Sequence, residues 1–410
     1  MTAQSPDPAT SRGRSLLDFL ALNRATFTLL VAIFCLGFGE ELWRAFVPKK
    51  LDLLSASLWT VGIYAAAFNG MEGVLSFAGG EMAHRLGPAK ALGLVTVLSL
   101  GGYACLLGSE LPGLVILGTL LILAWESLSQ PATFDVVGTS LQVSKRTMAF
   151  ALQSIQKRLP KILGPAIGGF ILTRWGFGAG LRYALVASLA LAISSIYIQF
   201  RYLPKAQGNI LAASNREIFR TLDPFLKRLL AAEILTRWCD WIAREFVVLY
   251  CLNDLKQTPA VFGGLVALQH TTALLTYLPV GSVVDRGLQR PFIGLTFVFF
   301  ALTPAALALA PPGWGLFAAF AVYGLREIGE PARKALITNR IPAAVRAKGV
   351  GLYWGLRSFA IVPAPLVGAW IWQAWGPRVM LFAASGFGAL GAAVFYAISG
   401  RIGEKTAGGG

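Results

Sequence analysis

Apolar segments of about twenty residues recur along the whole chain, and this recurrence constrains the fold more than any other feature. A bilayer core is ~30 Å thick, which an α-helix crosses in ~20 residues. About twelve such segments stand at 25–46, 55–82, 89–108, 112–134, 147–173, 181–203, 228–251, 260–284, 291–310, 314–336, 346–373 and 378–400. Gly, Pro and charged residues punctuate them, as at Glu110-Leu111-Pro112-Gly113 and Pro311-Pro312-Gly313-Trp314. Only 14% of residues are charged, against ~25% in soluble domains. A soluble fold would need a polar shell that this chain cannot supply. Backbone groups in hydrocarbon must be satisfied within their own segment, so the segments are helices. The 45 glycines suit helices that approach one another closely in lipid.

The net charge is +16, from 36 Lys and Arg against 20 Asp and Glu. The basic residues gather in alternate short loops. Arg12, Arg14 and Arg24 precede span one, and Arg85 and Lys90 join spans two and three. Lys145 and Arg146 follow span four, then Arg201, Lys205, Arg216 and Arg220 follow span six. Arg286 and Arg290 join spans eight and nine, and Arg333, Lys334, Arg340 and Arg346 gather around the end of span ten and the loop after it. This pattern places both termini in the cytoplasm and the chain in the cytoplasmic membrane. It also accounts for the high net charge without a nucleic-acid partner. Cys35, Cys105, Cys239 and Cys251 have no metal-ligand spacing and read as packing residues. With two histidines, no phosphate-binding loop and no nucleophile–His–Asp arrangement, neither an enzyme nor a cofactor is expected.

The chain repeats itself at an offset of 200 residues. Pro131 matches Pro331, Arg146 matches Arg346, Pro165 matches Pro365, and Gly168 matches Gly368. Trp175-Gly176 matches Trp375-Gly376, Arg44 matches Arg244, and Glu40 meets Asp240. A fixed long period means a repeated architecture. The expected fold is therefore an all-α membrane protein of two parallel six-helix repeats. They occupy residues 1–203 and 228–400, joined by a cytoplasmic linker at 204–227 and followed by a tail at 401–410. In proteins built this way the ligand site lies near the bilayer midplane between the repeats.

Ionisable residues inside spans are costly and persist where they face a cavity or one another. Glu233, Arg237, Asp240 and Arg244 fall at i, i+4, i+7 and i+11, which makes one stripe on span seven. Span one carries Glu40 and Arg44 at i, i+4. Glu126, Arg326 and Arg357 lie in spans four, ten and eleven, and Trp241 lies within the span-seven stripe. These nine residues, Glu40, Arg44, Glu126, Arg237, Asp240, Trp241, Arg244, Arg326 and Arg357, are the expected cavity set. Asp240, Glu126 and Glu72 are acids in apolar surroundings, and His270 is a mid-span imidazole. These four are the candidate proton carriers.

Two motifs carry a family resemblance. The loop after span eight reads Gly281-Ser282-Val283-Val284-Asp285-Arg286-Gly287-Leu288-Gln289-Arg290, and the loop after span two contains Gly80, Arg85, Gly87 and Lys90, with His84 in place of the acid. Span five carries Gly164-Pro165-Ala166-Ile167-Gly168-Gly169. With the twelve spans and the internal repeat, the chain resembles the major facilitator superfamily of transporters. The resemblance implies that Gly80, Arg85, Gly87, Lys90, Gly281, Asp285, Arg286 and Arg290 form a cytoplasmic gate. It also implies that Gly164, Pro165, Gly168 and Gly169 match the core of the motif of proton-coupled antiporters. The implied activity is secondary transport of a small organic solute by alternating access, with proton-coupled export first. Uptake by symport or facilitated diffusion is the alternative, and a receptor on the same fold without flux is a third reading.

Overall fold

The structure is a computed structural model that describes residues 24–55, 57–86, 88–124, 143–202, 219–220, 223–284, 289–311, 313–341 and 346–399. Every regular element among the described residues is helical, and the helices fall on the twelve expected spans. Span one is Arg24–Glu41, then a 3-10 step at Arg44–Phe46, then Val47–Ser55. Spans two, three and four are Leu58–Leu86, Pro88–Gly108 and Pro112–Ala124. Spans five and six are Val143–Trp175 and Phe177–Tyr202. Span seven is Pro224–Ala243, a 3-10 step at Arg244–Phe246, then helical turns to Asp254. Spans eight and nine are Pro259–Val284 and Gln289–Leu309. Span ten is broken into Trp314–Leu325 and Glu330–Arg340, and span eleven into Arg346–Ile361 and Ala364–Trp375. Span twelve is Pro377–Ser399. Span seven starts inside the segment read as linker. The Asp223 carboxylate accepts from the Phe225 N–H at 2.8 Å and Pro224 occupies the first turn, which is a strong helix start.

Four helices are by themselves long and apolar enough to cross a membrane: Phe177–Ile198, Arg290–Leu309, Gly349–Trp375 and Pro377–Ile398. Large apolar side chains point outward, among them Phe170, Tyr197, Leu275 and Leu309. On a water-soluble monomer this much exposed apolar surface would drive association. In a bilayer it is the surface that lipid covers.

The sequence repeat is also a packing repeat. Span one packs on spans five and six, as span seven packs on eleven and twelve. Gly168 of span five lies against the Leu42 carbonyl, and Gly368 of span eleven against the Ile242 carbonyl. Both partners are displaced by the same 200 positions. A Cβ at either glycine would overlap that oxygen, so the missing side chain permits the approach. Gly176 and Gly376 end spans five and eleven with φ of +79° and +87°, the left-handed conformation that glycine adopts without strain.

The two repeats meet along spans five and eight and along spans two and eleven. At the first crossing, Gly169 lies on the Pro259 carbonyl and Gly263 on the Pro165 carbonyl. At the second, a Cβ on Gly62 would stand 3.1 Å from the Ala369 methyl and 3.2 Å from the Pro365 carbonyl. With an even number of spans, both helical ends of the chain lie at one end of the bundle, here the terminal end. At the opposite, distal end, Lys49 donates to Asp52 at 2.8 Å and to Asn253 at 2.6 Å, while Asn253 Nδ2 donates to Asp52 at 3.0 Å. The distal end is therefore closed by backbone crossings and by a polar latch between the repeats.

Candidate functional site

Three helix interruptions bring three arginines to the middle of the bundle. Arg44 opens the 3-10 step of span one. Pro48, four residues on, cannot donate to its carbonyl and its ring crowds it. Arg244 opens the equivalent step of span seven. Arg326 stands where span ten stops, ahead of Gly329 and Pro331. Short tight turns of this kind inside long helices free backbone groups and commonly mark working sites.

These arginines surround two buried acids. Glu40 pairs with Arg44 one turn away. Asp240 accepts hydrogen bonds from both Arg244 and Arg326, and Arg237 stands 3.9 Å off. The Asp240 side chain is 1% exposed. An unpaired charge there would cost several kcal/mol of desolvation, and excellent pairing is what makes the burial tolerable. Aromatic faces complete the cationic environment. Arg326 lies 4.2 Å from the Tyr323 ring centre and Arg244 lies 4.5 Å from that of Trp241. Arg44 lies 5.2 Å from the Phe68 centre. Phe68 and Trp241 are themselves 5.9 Å apart. Through these two rings the Glu40–Arg44 couple of the first repeat faces the Asp240–Arg244 couple of the second. A small cavity beside Asp240 is walled by Cys239, Phe300, Thr303, Tyr323 and Arg326.

A second tier lies one to two turns toward the terminal end. Glu233 pairs with Arg333 at 2.7 Å and with Arg357 at 3.6 Å. Glu330 pairs with Arg333 at 2.6 Å and with Arg237 at 3.9 Å. Two contacts bridge the repeats nearby. Arg158 of span five pairs with Glu327 of span ten at 2.8 Å, and Ser358 of span eleven donates to Glu72 of span two at 3.3 Å.

The structure thus gathers Arg237, Asp240, Trp241, Arg244 and Arg326 into one cluster and joins Glu40 and Arg44 to it through Phe68. Arg357 sits in the second tier, on Glu233. Glu72 lies at the seam with span eleven. His270 lies on span eight, in the field of Glu327, Lys161, Arg158 and Arg326. Arg290 is exposed at the start of span nine. Glu126, Gly87, Asp285 and Arg286 lie outside the described residues, and so do the side-chain surroundings of Gly80, Arg85, Lys90 and Gly281. In span five, Gly164 lies against Glu41 and Gly168 against Leu42, while Pro165 and Gly169 meet span eight.

Sequence reasoning placed Arg333 among the loop bases. It is 3% exposed and buried between Glu233 and Glu330. The i, i+3 spacing of Glu330 and Arg333 was the available signal. The contact of Phe68 with Trp241 had no signal in the sequence, because it depends on how the repeats dock.

A twelve-span helical bundle of two repeats, with buried charges along the seam between them, is the architecture of a membrane transporter. The sequence pattern of the Major Facilitator Superfamily matches residues 29–252 and 229–407, so the chain belongs to that family. It is similar to the multidrug resistance protein MdtG of Proteus mirabilis (strain HI4320), 24% identical over 371 residues, covering 85% of this chain and 89% of that protein. Among solved structures it resembles a POT family transporter in complex with a thioalcohol conjugated peptide. The TM-score is 0.76 at 13% identity, over 93% of this chain and 97% of the other. It also resembles the nucleoside transporter NupG, with a TM-score of 0.72 at 13% identity, over 91% and 98% of the two chains. At these identities the likeness is one of fold.

Proposed function

We propose that this chain is a secondary active transporter that exports a small organic solute in exchange for protons. The observation that carries the reading is the Asp240 cluster. One buried acid holds three arginines inside the second repeat, where charge is retained only against a cost, and the Trp241 ring carries the cluster to Phe68 of the first repeat. Protonating Asp240 would release Arg244 and Arg326 to other partners, which is the two-state behaviour that coupling requires. Glu72, Glu126 and His270 are the further proton sites to examine.

In this mechanism residues 1–203 and 228–400 rock about the central cluster. The Lys49–Asp52–Asn253 latch and the glycine crossings of spans five and eight close the distal side. Arg158–Glu327 and the loops around Gly80–Lys90 and Gly281–Arg290 close the terminal side, which we place in the cytoplasm with both termini. Export in particular is supported by the similarity to the multidrug resistance protein and by the Gly164-Pro165 segment of span five.

The test uses everted membrane vesicles with an acidified interior, a pH-reporting dye and a panel of small organic compounds. Exchange predicts that a transported compound dissipates the gradient, and that Asp240→Asn abolishes the response while the purified variant still folds. A compound that enters vesicles without moving protons, or that moves protons in the same direction as itself, would replace export by facilitation or symport.

A further inference from the structure

The second repeat carries an acid where the first has none. The offset of 200 pairs Arg44-Ala45-Phe46-Val47 with Arg244-Glu245-Phe246-Val247, so three positions match and Glu245 stands opposite an alanine. Both stretches open on the 3-10 steps of spans one and seven. The step of span seven meets span two of the other repeat. Glu245 is half-buried there, with neither an ion pair nor a hydrogen bond among the described residues. The neighbouring acids are answered: Asp240 by Arg244 and Arg326, and Glu40 by Arg44.

The charged and titratable groups that face Glu245 come from four spans. Arg244 and Asp240 lie on its own span, Arg44 on span one, Tyr64 on span two and Tyr323 on span ten. Glu40 and Glu41 of span one face the same Tyr64 hydroxyl. The side chains of Arg44 and Arg244 are 22% and 31% exposed in the middle of the bundle, so the space between them is open rather than packed. A carboxyl group among apolar spans is costly unless it finds a cation or takes up a proton. Protonating Asp240 alone would strand an arginine that it holds. Protonating Glu245 strands nothing, because it has no partner to lose. Glu245 is also the free acid that Arg244, its neighbour in the chain, can reach.

We propose that Glu245 binds the exchanged proton and hands it to Asp240 as Arg244 crosses from Asp240 to Glu245. The inference rests on the proton-exchange reading and deepens it. In the step a Glu245 O–H bond breaks and an Asp240 O–H bond forms. One proton moves one way, one guanidinium moves the other, and the net charge of the site is unchanged. Arg244 is the arginine that moves. Its side chain is 31% exposed, whereas that of Arg326 is 6% exposed and held between the rings of Tyr323 and Phe300. Arg44 and Tyr64 belong to the first repeat, so rocking alters the groups that face Glu245. This ties the proton step to the motion.

The test uses the proton itself as the probe. Infrared difference spectra of the full chain in detergent, stepped between acidic and alkaline buffer, read the carbonyl stretch of protonated carboxyl groups. The wild type is expected to show a titrating band that Glu245→Gln removes and Glu245→Asp restores at a shifted position. Glu245→Gln should not lower the melting temperature, because it removes no partner. Asp240→Asn should also remove the band although Glu245 is intact, because Arg244 then takes the Glu245 carboxylate and keeps it ionised. Adding Arg244→Gln to Asp240→Asn should bring the band back, a result that a purely structural acid would not produce. Three outcomes would overturn the proposal: no titrating band in the wild type, a band untouched by Glu245→Gln, or a Glu245 band that survives in Asp240→Asn. A chain that exchanges compounds for protons in the vesicle assay while its band ignores Glu245→Gln would keep the transport reading and lose this one.

Discussion

Asp240→Asn removes one negative charge from a point where two arginines donate and a third stands 3.9 Å away. The Asp240 side chain is 1% exposed and that of Arg326 6%, so water cannot take the place of the lost partner. Two unit charges at 4 Å interact by about 4 kcal/mol at an effective dielectric of 20. Breaking a buried pair by removing one member costs about 3–5 kcal/mol, chiefly because the other charge is stranded. The Asn amide still accepts one hydrogen bond, which sets the expected loss near the lower bound, about 3 kcal/mol. Arg326→Met strands less, because Asp240 keeps Arg244, so about 1–2 kcal/mol is expected. The double variant leaves only Arg244 and Arg237 without the acid, and Arg244 is 31% exposed and can be hydrated. It should therefore be no less stable than Asp240→Asn alone, giving a coupling of about 1–2 kcal/mol between the two sites. Denaturant titration of the four purified proteins in detergent, followed by tryptophan fluorescence, measures the cycle. A loss for Asp240→Asn within about 0.5 kcal/mol, the scale of a neutral surface change, would refute the reasoning. Strict additivity of the two changes would refute it as well.

Four further outcomes are expected. Gly263→Val sets a side chain onto the Pro165 carbonyl at the crossing of spans five and eight. It should cost about 1–3 kcal/mol in melting experiments; an unchanged melting temperature would mean that the close approach at this crossing does not hold spans five and eight together. Gly168→Ala and Gly368→Ala should be similarly destabilising, by about 1–3 kcal/mol each, because both press on equivalent carbonyls. Gly101→Ala meets no atom within 4 Å and should be neutral or stabilising by about 1 kcal/mol through helix propensity. For Arg158 and Glu327, 18% and 26% exposed, a cycle of glutamine substitutions should show a coupling of about 0.5–1 kcal/mol, and zero coupling would remove this pair from the latch.

Much of the fold was legible in the sequence. Apolar length, the requirement that backbone in lipid bond to itself, and an offset of 200 were enough for twelve helices in two parallel repeats. Each of these rests on local spacing or on self-similarity, which a sequence carries in full. The site was legible as a set of residue types. The stripe Glu233, Arg237, Asp240 and Arg244 stood out because charge inside an apolar span is costly, and its face of the helix follows from the period. Partner choice was not legible. The stripe suggested pairing within span seven, and Asp240 does pair there with Arg244 and Arg237, but it also takes Arg326 from span ten, and Glu233 turns to Arg333 and Arg357 of other spans. Arg333 read as a loop base and is buried, and Asn69 gave no sign that both its amide atoms would stand unpaired.

By itself, then, the sequence determined the lipid-facing helices, their number, their duplication and the residues too polar to face lipid. Only the tertiary structure decided which of those residues meet. Helical periodicity sets the direction in which a side chain leaves its own helix. The neighbour it finds there depends on how closely the helices approach, and in this protein that is set by glycines of spans five, eight and eleven packed on the carbonyls of other spans.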